Sequence, residues 1–191
     1  MCPDGCTSSA APQPVKNLNI SGNKDSAAVP SANLKIIKLN FDEGCETSPT
    51  PEMGHERMVA VYDLLEDNYF APHHFPEGPY SLTLGVKDNR LILTLANQAG
   101  EILGILGLSL SPFRRIIRDY HMVCDSYYAA VSRGCSLTQI EAVDMGRRGL
   151  HNEGAAMLQE RLKGKVDINI DTARRLFTLL YVMQAGLPAM S

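Results

Sequence analysis

YSLTLGVKDNRLILTLANQAGEILGILGLSL, residues 80–110, decides the fold. Tyr80, Leu82, Leu84 and Val86 alternate with Ser81, Thr83, Gly85 and Lys87, the period of a strand with one buried face. Short polar turns at residues 87–90 and 97–101 separate this segment from LILTLA and ILGILGLSL, which predicts a three-strand antiparallel meander with no crossover helix inside it. Upstream, LKIIKLNF (34–41) has the length and apolar content of one more strand. SPTPEMG then opens a helix running to about Tyr69, with Met58, Val61, Tyr62 and Leu65 as its expected buried stripe.

From Ser111 onward the pattern turns helical. Ser111 precedes Pro112 at a first-turn position, Ser136 and Gln139 form a capping box, and Asp171 caps the last segment, giving helices at about 112–132, 137–163 and 172–185. Strands first and helices after is an α+β arrangement: a small antiparallel sheet, made of the N-terminal strand and the meander, packed by the helix after the first strand and by three C-terminal helices. This single domain covers residues 34–187. Residues 1–33 are rich in Ser, Ala, Pro, Asn and Gly without apolar periodicity and read as a disordered tail.

The 191-residue chain is 45% hydrophobic and 20% charged, values of an ordinary globular protein. No run approaches the ~20 apolar residues of a membrane span, and the start lacks the basic and apolar segments of a secretory signal, so the expected setting is cytoplasmic, with no membrane partner. The five cysteines include no Cys-x-x-Cys pair and read as reduced thiols. Residues 1–110 hold 7 basic against 13 acidic side chains, while residues 111–191 hold 11 against 8. That bias is too mild for nucleic-acid binding by bulk field but compatible with a local anion site.

On the helix at 112–132, Phe113, Ile116, Ile117, Tyr120, Val123, Cys124, Tyr127 and Val131 fall on one apolar arc, which makes Cys124 a buried hydrophobe, not a nucleophile. Arg114, Arg118, His121 and Asp125 form a polar stripe on the far side, open to reading as an ion-pair ladder or as part of a ligand site. On the next helix, DMGRRGLHNEG (144–154) gathers Asp144, Arg147, Arg148 and His151 on one side, with Glu153 pointing away. Gly146, Gly149 and Gly154 each weaken a helix by about 1 kcal/mol relative to alanine, so their concentration predicts close packing or a helix crossing nearby. Arg114/Arg115, Arg147/Arg148 and Arg174/Arg175 lie on three successive helices and could converge or simply answer nearby acids.

Motif searches narrow the chemistry. Gly164-Lys165 lacks the rest of a phosphate loop, the glycines at 104 and 107 make no dinucleotide fingerprint, and His55-Glu56 begins but does not complete a zinc-protease helix. His73 and His74 sit in a proline-flanked loop without further ligands in view, so neither a metal nor a cofactor is expected.

Four stretches, GHERMVAVYDLLEDNYF (54–70), LSLSPFRRIIRDY (108–120), TQIEAVDMGRRGLHNEGA (138–155) and RLKGKVDINIDTARRLFTLL (161–180), resemble the bacterial uncharacterised protein family 0262 over about residues 34–182. The resemblance implies no activity, substrate or cofactor.

The residues themselves point to a binding or regulatory protein that holds a phosphate-bearing small molecule or RNA. Arg147, Arg148 and His151 would form the site, helped by Arg114 or Arg118, because guanidinium forks suit phosphate and an imidazole one turn away adds a donor. A competing reading is a small hydrolase or transferase with His151 as general base, oriented by Asp144 or a more distant carboxylate. A third is an adaptor whose glycine-bearing helix docks a partner or a second copy.

Overall fold

The computed structural model describes residues 33–45, 48 and 50–185; of the expected tail, all but residue 33 lies outside them, as do residues 186–187. The elements follow in the order β1 (Ile36–Phe41), α1 (Pro51–Glu66), β2 (Phe70–Pro72), β3 (Tyr80–Lys87), β4 (Arg90–Ala96), β5 (Ile102–Ser109), α2 (Arg114–Ser132), α3 (Leu137–Leu162), β6 (Val166–Ile168) and α4 (Ile170–Ala185). The fold is α+β. A 3-10 turn at Ser111–Phe113 precedes α2, so the helix expected from residue 112 begins at Arg114.

The meander β3-β4-β5 forms as its alternation predicts, turning from β3 to β4 through Asp88 and Asn89, whose φ of 50° and 56° are those of a tight hairpin. The sheet is mixed, however, not wholly antiparallel: β1 pairs with β3 in parallel, Leu39 opposite Leu82 and Phe41 opposite Leu84, in the order β1-β3-β4-β5. The reason is topological, since the chain leaves β1 through α1 before entering β3, and a helical crossover delivers strands in the same direction. A second, two-stranded antiparallel ribbon joins β2 to β6, with Phe70 opposite Ile168.

One face of the sheet packs on the helices. Leu84, Leu91 and Leu93 meet Leu158 and Leu162 of α3 and Leu176 and Leu180 of α4 along a common seam. α4 is the central helix. Thr172, Ala173, Leu176, Phe177 and Leu179–Met183 are all buried in it, and it packs on both α1 and α3, while α2 packs on α3. Thr172 is the one buried polar residue of the core among the described residues, and its hydroxyl accepts a hydrogen bond from the Tyr69 amide at 2.9 Å.

Two expectations about burial change. On α1 the buried residues are Met53, Ala60 and Leu64, with Val61 half-buried, while Met58 and Tyr62 are 66% and 67% exposed and Leu65 is exposed as well. The face of the helix that joins the core is thus the one carrying Met53, Ala60 and Leu64, not the predicted stripe. On α2 the arc holds for Phe113, Ile116, Tyr120 and Cys124, but Val131 is exposed near the helix end. Burial pushes the Cys124 thiol up to about 11, as befits a packed side chain.

The glycines of α3 divide. A Cβ at Gly154 would collide with the Phe177 ring, so this glycine permits the α3–α4 crossing. One at Gly146 would make an ordinary contact with Val123, and one at Gly149 would meet open space. Only Gly154 has the packing role predicted for all three.

Candidate functional site

Because α1 and α3 both flank α4 without packing closely on one another, a groove is left above α4. It forms a cleft of about 640 Å³, a size typical of small-molecule sites. Three helices line it at helical spacing. α1 contributes His55, Glu56, Val59, Ala60 and Asp63; α3 contributes Arg147, Arg148, His151 and Asn152; α4 contributes Asp171, Arg174, Arg175 and Thr178; Tyr120 of α2 closes one side.

The α3 wall is cationic but not uniformly so. Asp144 accepts from Arg147 Nη2 at 2.7 Å and Nε at 3.0 Å, and its second oxygen accepts from Arg148 Nε at 2.7 Å. The Arg147 hydrogen bonds, with the nearby charge of Arg148, hold the Asp144 carboxyl below its ordinary range, so one negative charge faces two guanidinium groups. Arg147 also stacks over the Tyr127 ring at 5.2 Å, which fixes its direction. Arg148 is 74% exposed and can reorient.

Along α4, Arg174 Nη1 donates to Asp171 at 2.8 Å and Nε donates to Asn152 Oδ1 at 3.0 Å, tying the α4 floor to α3. Arg175 differs from the other three. It has no acid or acceptor among the described residues, and its Nε is buried without a hydrogen-bond partner.

His151 packs against the rings of Tyr120 and Phe177 at 5.5 and 5.7 Å. Its Nε2 lies 2.8 Å from Thr178 Oγ1, and that hydroxyl is also within 3.2 Å of the Arg174 carbonyl, to which it can donate. Burial, then the charges of Arg147 and Arg174, lower its pKa from 6.5 to about 4. The imidazole expected to add a donor beside the arginines is thus neutral at pH 7.

Of the five residues expected to bind an anion, Arg147, Arg148 and His151 come together, and Arg114 and Arg118 do not join them. Arg114 donates to Asn89 at 3.4 Å beside the β3–β4 turn, and Arg118 contacts Asp119 at 3.4 Å. The ladder on α2 is partial, with Arg115 paired to Asp119 at 3.5 Å and His121 to Asp125 at 3.6 Å. Of the three arginine pairs, Arg147/Arg148 and Arg174/Arg175 converge on the cleft. Sequence reasoning missed the α1 wall altogether. Its signal was the run His55, Glu56, Val59, Ala60, Asp63 on one helical face, hidden because hydrophobicity alone points to the opposite face as the inner one.

Elsewhere, His73 pairs with Asp167 across the β2–β6 ribbon at 2.8 Å. Among the described residues no cluster of three His, Cys, Asp or Glu side chains could hold a metal, and no helix is long and apolar enough to cross a membrane.

Comparison with known proteins gives one family, described as Uncharacterised protein family (UPF0262), matching residues 33–186. A UPF0262 protein of Azorhizobium caulinodans is 58% identical over 148 residues, spanning 76% of this chain and 91% of that one. One from Xanthobacter autotrophicus is 51% identical over 154 residues, spanning 80% and 92%. One from Rhizobium meliloti is 49% identical over 151 residues, spanning 79% and 94%. No solved structure matches.

Proposed function

Since the chain belongs to the Uncharacterised protein family (UPF0262), its function has to be argued from the cleft, and we propose that the protein binds a small phosphate-bearing anion there through Arg147, Arg148, Arg174 and Arg175. The observation that carries this reading is Arg175: a guanidinium lining a cleft of small-molecule size, its Nε buried without a partner, beside three other arginines. Among the described residues Arg175 lines the cleft with no carboxylate to neutralise it, so an anion bound there would supply the opposite charge that these residues do not. His151 adds a neutral wall, and Tyr120 a rigid aromatic one.

Two observations set this above its rivals. Against RNA, Arg147, Arg148, Arg174 and Arg175 are gathered inside one groove, whereas a nucleic acid needs a track of charges along a surface. Against catalysis by His151, its Nε2 is engaged by Thr178 and Asp144 is engaged by two arginines, so the dyad of base and orienting carboxylate is not assembled. The reading includes a cytoplasmic setting, supported by the free thiols of Cys45, Cys124 and Cys135.

Titration calorimetry against inorganic phosphate, pyrophosphate, sugar phosphates and nucleoside monophosphates tests the proposal. Binding of at least one, weakened at least about tenfold by Arg175→Ala and unaffected by Arg118→Ala, is the expected result. A folded Arg175→Ala variant that binds every hit as tightly as the natural chain overturns it.

A further inference from the structure

The cleft is charged on both walls, with opposite signs. Facing the arginines of α3 and α4, the α1 wall presents Glu56 and Asp63 two turns apart, with Val59 and Ala60 between them. Glu56 accepts the Tyr128 hydroxyl at 2.7 Å, which fixes its carboxylate at the edge of the cleft. Asp63 has no side-chain partner among the described residues. It does not pair with Arg175, although both line the same cleft, so one carboxylate and one guanidinium face the groove without neutralising each other or being neutralised.

A simple phosphate would gain from Arg175 and lose to Glu56 and Asp63, since like charges sharing a shielded groove repel. A ligand with a cation at its other end would gain from both walls. The geometry points to a zwitterionic ligand: a phosphate monoester that also carries a protonated amine, the phosphate seated on Arg175 and Arg148 and the ammonium on Asp63, with Glu56 two turns away adding a more distant negative charge and Val59 and Ala60 offering an apolar wall to the ligand. This rests on the anion-binding reading and specifies what occupies the opposite wall.

The probes are ω-aminoalkyl phosphates of increasing chain length and, for each, the alkyl phosphate of the same length without the amine. In the natural protein one aminoalkyl phosphate binds about tenfold more tightly than its alkyl counterpart, as expected for one added ion pair in a shielded groove. Asp63→Asn removes that preference in a crossed fashion, weakening the aminoalkyl compound and strengthening the alkyl one. Glu56→Gln, which keeps the bond to Tyr128, moves both affinities in the same senses by less. If alkyl and aminoalkyl phosphates bind equally at every length, or if Asp63→Asn shifts both alike, the amine assignment is wrong while the anion site stands. If neither series binds and the anion panel is also silent, both fall together.

Discussion

At Gly154 a hydrogen atom stands where any side chain would occupy the Phe177 ring, and five residues earlier Gly149 has open space around it. The same residue type therefore predicts opposite outcomes on one helix. Gly154→Ala should destabilise by about 1–3 kcal/mol, the range for overpacking a filled core. Gly149→Ala should stabilise by up to about 1 kcal/mol, because the helix interior gains propensity and the added methyl group clashes with nothing. Thermal melts of the two variants on either side of the natural chain check this; equal shifts of the same sign would refute it. His151 gives a pH prediction. Its folded value near 4 lies below the 6.5 of an ordinary imidazole, so as pH falls the unfolded chain takes up the proton first. Its contribution is complete above about pH 6.5 and is lost progressively toward pH 4, by up to about 3 kcal/mol. Denaturant titrations should find the natural protein losing stability across that window more steeply than His151→Gln, and parallel profiles would show that the ring is not held neutral. The convergence of Arg147, Arg148 and His151 could be read from the sequence because one helix fixes it; the neutrality of His151 could not, since Thr178, Tyr120 and Phe177 come from other helices.

At the scale of the element, α1 shows how an apolar stripe misleads. Met58, Tyr62 and Leu65 are larger than Ala60, so hydrophobicity favours their face, yet the face that reaches the core carries Met53, Ala60 and Leu64. Leu64→Ala should therefore cost about 2–5 kcal/mol, as for a leucine with no exposed surface, whereas Met58→Lys and Tyr62→Lys should each stay within about 0.5 kcal/mol. Chemical denaturation of the three variants separates the predicted stripe from the observed one. This orientation has a functional side: it turns Glu56 and Asp63 into the cleft, which is why the hydrophobic pattern alone does not reveal that wall. The capping box at Ser136 and Gln139, by contrast, was legible, since its chemistry is local and both of its hydrogen bonds form.

Over the whole molecule, burial is uneven, and so should be protection. α4 is enclosed by the sheet, α1 and α3, whereas α3 has its buried residues only at Gly154, Ala155, Leu158 and Leu162. Amide exchange of Leu176–Met183 should require global unfolding, while amides from Leu137 to Leu150 open locally and exchange much faster. Uniform protection along α3 would contradict this. The meander was legible because alternation names both the strand and its inner face; the direction of β1 was not, because a strand's sequence carries no orientation and only the crossover through α1 sets it. The β2–β6 ribbon is too short for any periodicity to register. The Gly154 crossing reaches further still. It locks α3 to α4 in rotational phase, and Arg147 and Arg148 hang from that lock on the same helix. One residue inserted between Arg148 and Gly154 would swing both guanidinium groups about 100° around the axis and out of the groove, so this span can vary in spelling but not in length.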